Sequence, residues 1–373
     1  MKTKYEIEQI VKEHQEELLE LIQTLCQIPS PSGQEQKRAA FIQGWLEDHG
    51  CLGAKIDEEN NVIFPYQAEK GDLVVWMAHT DTVFPDLEPF EVKISGNRMY
   101  CPGVGDDTAN VAVLMLLARL VVKEQWAAKQ GILFVFDSQE EGLGNLNGCR
   151  QVFAAYGSRI KQLISFDGTY EGICMKAVGS LRYRVTVRTE GGHSYSKFGN
   201  RNAIQYLAKL IDLLYTIQVP EKTTYNVGQI TGGTSVNTIA QEASMLYEIR
   251  SDDKQAMEQV RLFFEQAVAS FRLMGVEIEV TLLGERPCMG DIDETKQEQL
   301  VALCQEAIRT YAQEPRLYPG STDCNIPFSL GVNAACFGAY LGSGAHTRGE
   351  YIEIDSLETG MKIVLSFIMN YFA

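Results

Sequence analysis

Leu73-Val74-Val75-Trp76-Met77-Ala78 is an unbroken apolar run, and His79-Thr80-Asp81 follows it directly. A short run with no polar alternation reads as a strand buried on both faces, the kind found inside a parallel sheet. Two more runs repeat the arrangement: residues 132–136 precede Glu140-Glu141, and residues 163–166 precede Asp167. A long apolar helix is expected between the first two, over about residues 109–122. Strands separated by helices predict an α/β domain, a largely parallel sheet with helices on both faces.

Outward from this centre, residues 6–28 and 35–49 have helical spacing, separated by the loop Pro29-Ser30-Pro31-Ser32-Gly33. From about Val178 the pattern changes. Strands are expected at 181–189, 225–230, 243–250 and 276–283, and helices at 203–214 and 255–272. This is the β-α-β-β-α-β order of a ferredoxin-like module. After Pro287 the first style returns, with helices at 296–312 and 356–371 and a strand at 334–338. The expected organisation is a catalytic domain in two parts, 1–177 and 287–373, with an inserted lid or dimerisation domain at 178–286.

Composition narrows the function classes. Two domains suit a chain of 373 residues, and 45% hydrophobic with 22% charged residues is an ordinary globular balance. No stretch approaches the roughly 20 apolar residues of a membrane span. Met1 to Glu6 leads into an acidic helical pattern without an apolar signal core, so a cytoplasmic location is expected. The net charge of −16 argues against nucleic acid or an anionic membrane as partner. Nine cysteines without a CxxC pair read as reduced, buried thiols. Only five histidines exist, so their positions are informative.

His79, Asp81, Asp106, Glu140, Glu141 and Asp167 all fall at a strand's carboxyl end or in a neighbouring loop, where open α/β sheets place their sites. Imidazole and carboxylate are zinc-type ligands, and acidic segments converging on one sheet edge repel without a cation. One His-x-Asp or Glu-Glu pair carries little weight. An apolar strand before each acidic group, three times in succession, carries much more.

With these residues the chain resembles the di-zinc hydrolases that include peptidase T, carboxypeptidase G, acetylornithine deacetylase, succinyl-diaminopimelate desuccinylase and aminoacylase-1. The resemblance runs from Ile28-Pro29-Ser30-Pro31-Ser32-Gly33-Gln34-Glu35 through Ala78-His79-Thr80-Asp81, Gly105-Asp106-Asp107, Glu140-Glu141-Gly142 and Asp167-Gly168. It continues through Gly192-His193-Ser194, Gly232-Gly233-Thr234, Asn237 and Arg250 to Ser321-Thr322-Asp323 and Gly344-Ala345-His346-Thr347. It implies two zinc ions per chain, with cobalt or manganese as substitutes. His79 and Asp167 would bind one ion, Glu141 and His346 the other, and Asp106 both. Asp81 would hold the second ring nitrogen of His79, and Glu140 would be the general base. The Asp106–Asp107 peptide is expected to be cis. Lys-Gly is usual after the paired aspartates; here Thr108-Ala109-Asn110 stands instead.

The resemblance further implies a homodimer through the inserted domain. His193, otherwise a surface histidine in a Gly-rich loop, would stabilise an oxyanion in the other subunit's site. Asn237 and Arg250 would serve the substrate; Arg250 suits a carboxylate, and a structural ion pair is its other reading. His14 and His49 read as structural. The favoured function is hydrolysis of small peptides by a peptidase T-like aminopeptidase, on the clue that Asp167 is aspartate and not glutamate. An N-acyl amino acid deacylase with the same site is the alternative, and a non-catalytic binding protein a third reading.

Overall fold

The structure, a computed structural model, describes residues 4–373; Met1, Lys2 and Thr3, part of the segment read as lacking a signal core, lie outside the described residues. The chain divides into two compact units, Met1–Ala177 with Gly290–Ala373, and Val178–Met289. The smaller unit runs slightly past Pro287 because Cys288 packs within it, its Sγ 3.6 Å from Met257 Sδ and 3.4 Å from the Ser251 carbonyl.

In the larger unit, Leu73–His79 lies between Gly131–Asp137 and Ile160–Ser165, parallel to both, and Asn333–Cys336 continues the parallel set. Every residue of Leu73–His79 and Gly131–Asp137 is buried, which is why these strands read as continuous apolar runs. Val74, Trp76, Ala78, Ile132, Phe134 and Phe136 share a core with the helices Lys4–Cys26, Asn110–Lys123 and Ser356–Ile368. Val75, Met77, Leu133 and Val135, on the opposite face, are also fully buried. At about 1.5–3 kcal/mol per large side chain, this two-sided burial dominates the unit's stability.

The same sheet has eight strands, and four were not legible: Lys55–Ile56, Val62–Tyr66, Gly172–Ala177 and Arg316–Gly320. Arg316–Gly320 contains Pro319 and is largely exposed, features tolerated at a sheet edge that erase the strand signal. A small antiparallel sheet of Lys93–Ser95, Arg98–Tyr100, Tyr351–Glu353 and Gly342–Ser343 also appears. Among the described residues, no helix is long and apolar enough to cross a membrane.

The smaller unit has the βαββαβ order: Gly179–Arg188, Ala203–Leu214, Thr223–Gly232, Glu242–Ser251, Lys254–Leu273 and Glu277–Arg286. Its four strands are antiparallel, with Thr223–Gly232 and Glu277–Arg286 at the edges. Leu181, Tyr183, Val185 and Val187 alternate into the core beside Leu207, Leu210, Val260 and Phe264 of the helices. On the other face Arg188 pairs with Glu242 and Glu279. Both helices start at side-chain caps: Asn202 accepts from the Ile204 and Gln205 N–H groups, and Asp253 from Gln255 and Ala256.

Candidate metal and catalytic centre

Four segments of the larger unit bring their acidic groups to one end of the sheet. His79 ends its strand opposite Asp137, and Glu140-Glu141 lies just beyond Asp137. Asp167 follows Ile160–Ser165, and Asp106 sits in the turn Val104–Ala109 that enters the helix Asn110–Lys123. The Asp106–Asp107 peptide is cis, as expected. His346 reaches the cluster from a turn in which its own φ is +63°.

Asp106 is the centre of the constellation. Its Oδ1 lies 3.0 Å from His79 Nε2 and its Oδ2 3.0 Å from His346 Nε2. His346 Nε2 is also 2.9 Å from Glu141 Oε1. The potential ligand atoms of His79, Asp107 and Asp167 lie within 4.8 Å of one another, as do those of Asp106, Glu141 and His346, and of His79, Glu140 and Glu141. The structure therefore brings together all five residues expected to hold metal, with Glu140 beside them.

The electrostatics match a cation site. Burial pushes Glu141 up to about 7 against the pull of His346, and repulsion from Asp106 and Glu140 adds to it. Burial also raises Asp167 to about 6, with Asp106 and Glu141 contributing. His346 is driven up to about 10 by its contacts with Asp106 and Glu141. Burial opposes the charged form of His79, yet Asp106, Asp107 and Asp81 hold its pKa well above the usual imidazole range. The surrounding carboxylates thus favour the protonated form of both imidazoles, and a divalent ion on the same atoms would take over that charge balance with the protons released. The N and O donor set is the zinc type.

Asp81 does more than the sequence suggested. Its Oδ1 lies 3.4 Å from His79 Nδ1, and its own carbonyl lies 3.2 Å from that nitrogen. The same carboxylate accepts the Glu140 N–H at 3.0 Å, the Glu141 N–H at 2.9 Å and the Ser32 hydroxyl. One buried carboxylate thereby positions a histidine and the backbone of both glutamates. Glu35 assists by accepting the Gln139 N–H at 3.2 Å, and burial pushes its carboxyl up to about 7.

Four further residues, Asp107, Asn110, Asp137 and Asp323, were given no role from the sequence. Asp107 accepts the His79 N–H at 3.1 Å and Asn110 Nδ2 at 2.6 Å. Asn110 also accepts the Ala339 N–H at 2.7 Å, so the unusual Thr108-Ala109-Asn110 stretch supplies an amide that ties Asp107 to the Ala339 backbone. Asp137 and Asp323 are buried carboxyls whose oxygens find no hydrogen-bond partner among the described residues; burial, with repulsion from neighbouring carboxylates, raises both well above the usual carboxylate range. Their only advance signal was the Ser321-Thr322-Asp323 motif.

The remaining candidates lie in the smaller unit. Gly192–His193 pairs with Thr238–Ile239, and the Ser194 N–H donates to the Asn237 carbonyl at 3.0 Å, so His193 and Asn237 are neighbours. His193 is exposed, and its Nδ1 accepts the Tyr195 N–H at 3.3 Å. Arg250 lies near the other end of Glu242–Ser251, paired with Glu248 at 2.9 Å, the ion-pair arrangement left open by the sequence. His14 contacts Glu17, His49 stacks on Trp45, and all nine cysteines are buried and free.

The profile of the peptidase family M20/M25/M40 matches residues 75–370. The uncharacterized protein YqjE of Bacillus subtilis is 25% identical, over 95% of this chain and 98% of its own length. Carboxypeptidase G2 of a Pseudomonas species is 22% identical, over 97% of this chain and 91% of its own. Among solved structures, a tripeptidase from Staphylococcus aureus superposes with a TM-score of 0.77 at 22% identity, covering 96% of this chain and 98% of that one.

Proposed function

The chain belongs to the peptidase family M20/M25/M40 and is a hydrolase of the metallopeptidase and amidohydrolase class; from that premise we propose that it is a two-zinc aminopeptidase acting on di- and tripeptides. The observation that carries this reading is Asp106, whose two oxygens each face a different histidine nitrogen at 3.0 Å. His79 and Asp167 would hold one ion and Glu141 and His346 the other, with Asp106 serving both. When bound, such ions lower the pKa of water and polarise a scissile carbonyl. Glu140 takes the proton from the attacking water and delivers it to the leaving nitrogen, since an amine leaves poorly unless protonated. Asp81 keeps Glu140 in place through its backbone N–H and keeps the His79 ring oriented.

The aminopeptidase assignment rests on aspartate, not glutamate, at position 167. Peptides with a free N-terminal amine are expected to show a higher kcat/KM than their acetylated counterparts, compared pairwise on the zinc-loaded enzyme. A preference for the acylated partners moves the protein to the deacylase reading.

The exposed edge strand Thr223–Gly232 supports pairing with a symmetry mate, so the proposal includes a homodimer. In it, His193 of one chain serves the site of the other, while Asn237 and Arg250 contact the substrate. Glu140→Ala and His193→Ala are each expected to be inactive alone. Re-equilibrated as a mixture they should recover roughly a quarter of wild-type activity, because half the dimers are mixed and each has one whole site. Mixed dimers that form but stay inactive rule out the cross-subunit role.

A further inference from the structure

Glu350 is a carboxylate buried to 2% exposure, four residues past His346. Its Oε2 accepts the Gly103 N–H at 2.7 Å, and its Oε1 accepts the N–H groups of Gly105 at 2.9 Å and Asp106 at 2.8 Å. Taking a carboxylate out of water costs several kcal/mol unless its lone pairs are met. Three N–H donors meet them here, in hydrogen bonds strengthened by the charge.

Those donors come from the turn that carries Asp106. Gly103 takes φ +74°, and a Cβ at Gly105 would meet the Tyr340 hydroxyl at 2.5 Å, so both glycines are needed for the backbone to wrap the carboxylate. Glu350 itself belongs to the His346 turn, closed by the Thr347 N–H on the Gly344 carbonyl at 3.0 Å and the Glu350 N–H on the Thr347 carbonyl at 3.3 Å. The two turns are then joined as a ladder. Cys101 N–H donates to the Glu350 carbonyl at 3.2 Å, and Tyr351–Glu353 pairs with Arg98–Tyr100.

We propose that Glu350 is a positioning residue that locks the Asp106 turn to the His346 turn, setting the carboxylate that faces both histidines. This rests on the reading of Asp106 as a ligand shared by two ions. The requirement is for a carboxylate and not merely for a side chain of that shape. Glutamine keeps the volume but has one acceptor oxygen, and its NH2 would face a backbone N–H as donor against donor.

The test measures zinc affinity of the metal-free protein by competition with a chromogenic chelator, with bound metal counted by atomic absorption. Glu350→Gln is expected to bind zinc about 10–100-fold more weakly, the usual effect of removing a group that orients a ligand. Glu350→Asp, shorter but still charged with two acceptors, is expected to bind more tightly than Glu350→Gln. A packing role alone would reverse that order, because Gln is the closer match in shape, and would overturn the proposal. Tyr66→Phe is the control. It removes a buried hydroxyl bonded to the Val121 and Trp126 carbonyls, on a strand where Tyr66 faces Ile132, the opposite strand end from Asp137 and His79. It should lower thermal stability and leave zinc affinity unchanged. Glu350→Gln with wild-type affinity overturns the role of Glu350. A wild-type protein that does not take up two ions overturns the underlying reading of Asp106 instead. Should Glu350→Gln fail to fold, Glu350→Met, of similar length and without acceptor oxygens, takes its place, with zinc binding weaker than in Glu350→Asp expected and equal or tighter binding overturning the proposal.

Discussion

Glu140→Gln is expected to lower kcat by about a thousandfold or more, at the strong end of general acid–base effects and equivalent to about 4 kcal/mol in the barrier. The substitution keeps the size of a side chain that is 5% exposed, and it leaves the backbone N–H on Asp81 untouched. Zinc content and thermal stability should therefore stay near wild type while turnover collapses. The neighbouring change has a different signature. Glu141 Oε1 is 2.9 Å from His346 Nε2, within the group that includes Asp106, so Glu141→Gln removes a donor from the metal cluster and should lower zinc content. Paired measurements of kcat and bound metal on the two variants separate base from ligand. If Glu140→Gln loses zinc and Glu141→Gln retains it, the roles are shifted by one residue.

His79, Glu141 and Asp167 were legible as candidates because each follows an apolar strand, whereas His346 and the ligand roles came from the resemblance to the di-zinc hydrolases. His79 and Asp167 are the clearest cases. The strand that carries His79 is buried along its whole length, so sequence and environment agree there. Apart from Asp81, the roles of the supporting residues were not legible, and the reason is physical. Glu350, Glu35 and Asp107 act by accepting backbone N–H groups, which have no residue-type signature, and Glu350 finds its donors some 245 positions away. Ser32 stood in a recognised motif, yet nothing in the sequence said that its hydroxyl would meet Asp81. The missed strands fail for another reason. Arg316–Gly320 is an edge strand without apolar alternation, held by its parallel partner Gly172–Ala177 and not by a core.

Removal of metal is expected to abolish activity, with zinc restoring it; full activity in exhaustively demetallated protein would sink the two-metal reading. The metal-free protein should also show a particular pH dependence. Burial raises Asp167 to about 6 and Glu141 to about 7, from ordinary values of 3.8 and 4.5. A carboxyl with a raised folded-state pKa binds its proton more tightly folded than unfolded, so stability is lost as pH rises through the folded value. His346, raised to about 10 from 6.5, contributes with the same sign, its stabilisation present below about 6.5 and lost toward 10. The metal-free protein should therefore melt at lower temperature at pH 8 than at pH 6. Zinc binding runs the other way, because the ion competes with those same protons and gains affinity as they leave. The difference in Tm between zinc-loaded and metal-free protein should widen from pH 6 to pH 8, and a chelator should strip the metal more readily at pH 6. Thermal melts of both forms across that range test the argument. A Tm difference that stays flat or narrows would show that Asp106, Glu141, Asp167 and the two histidines are not where the ions bind.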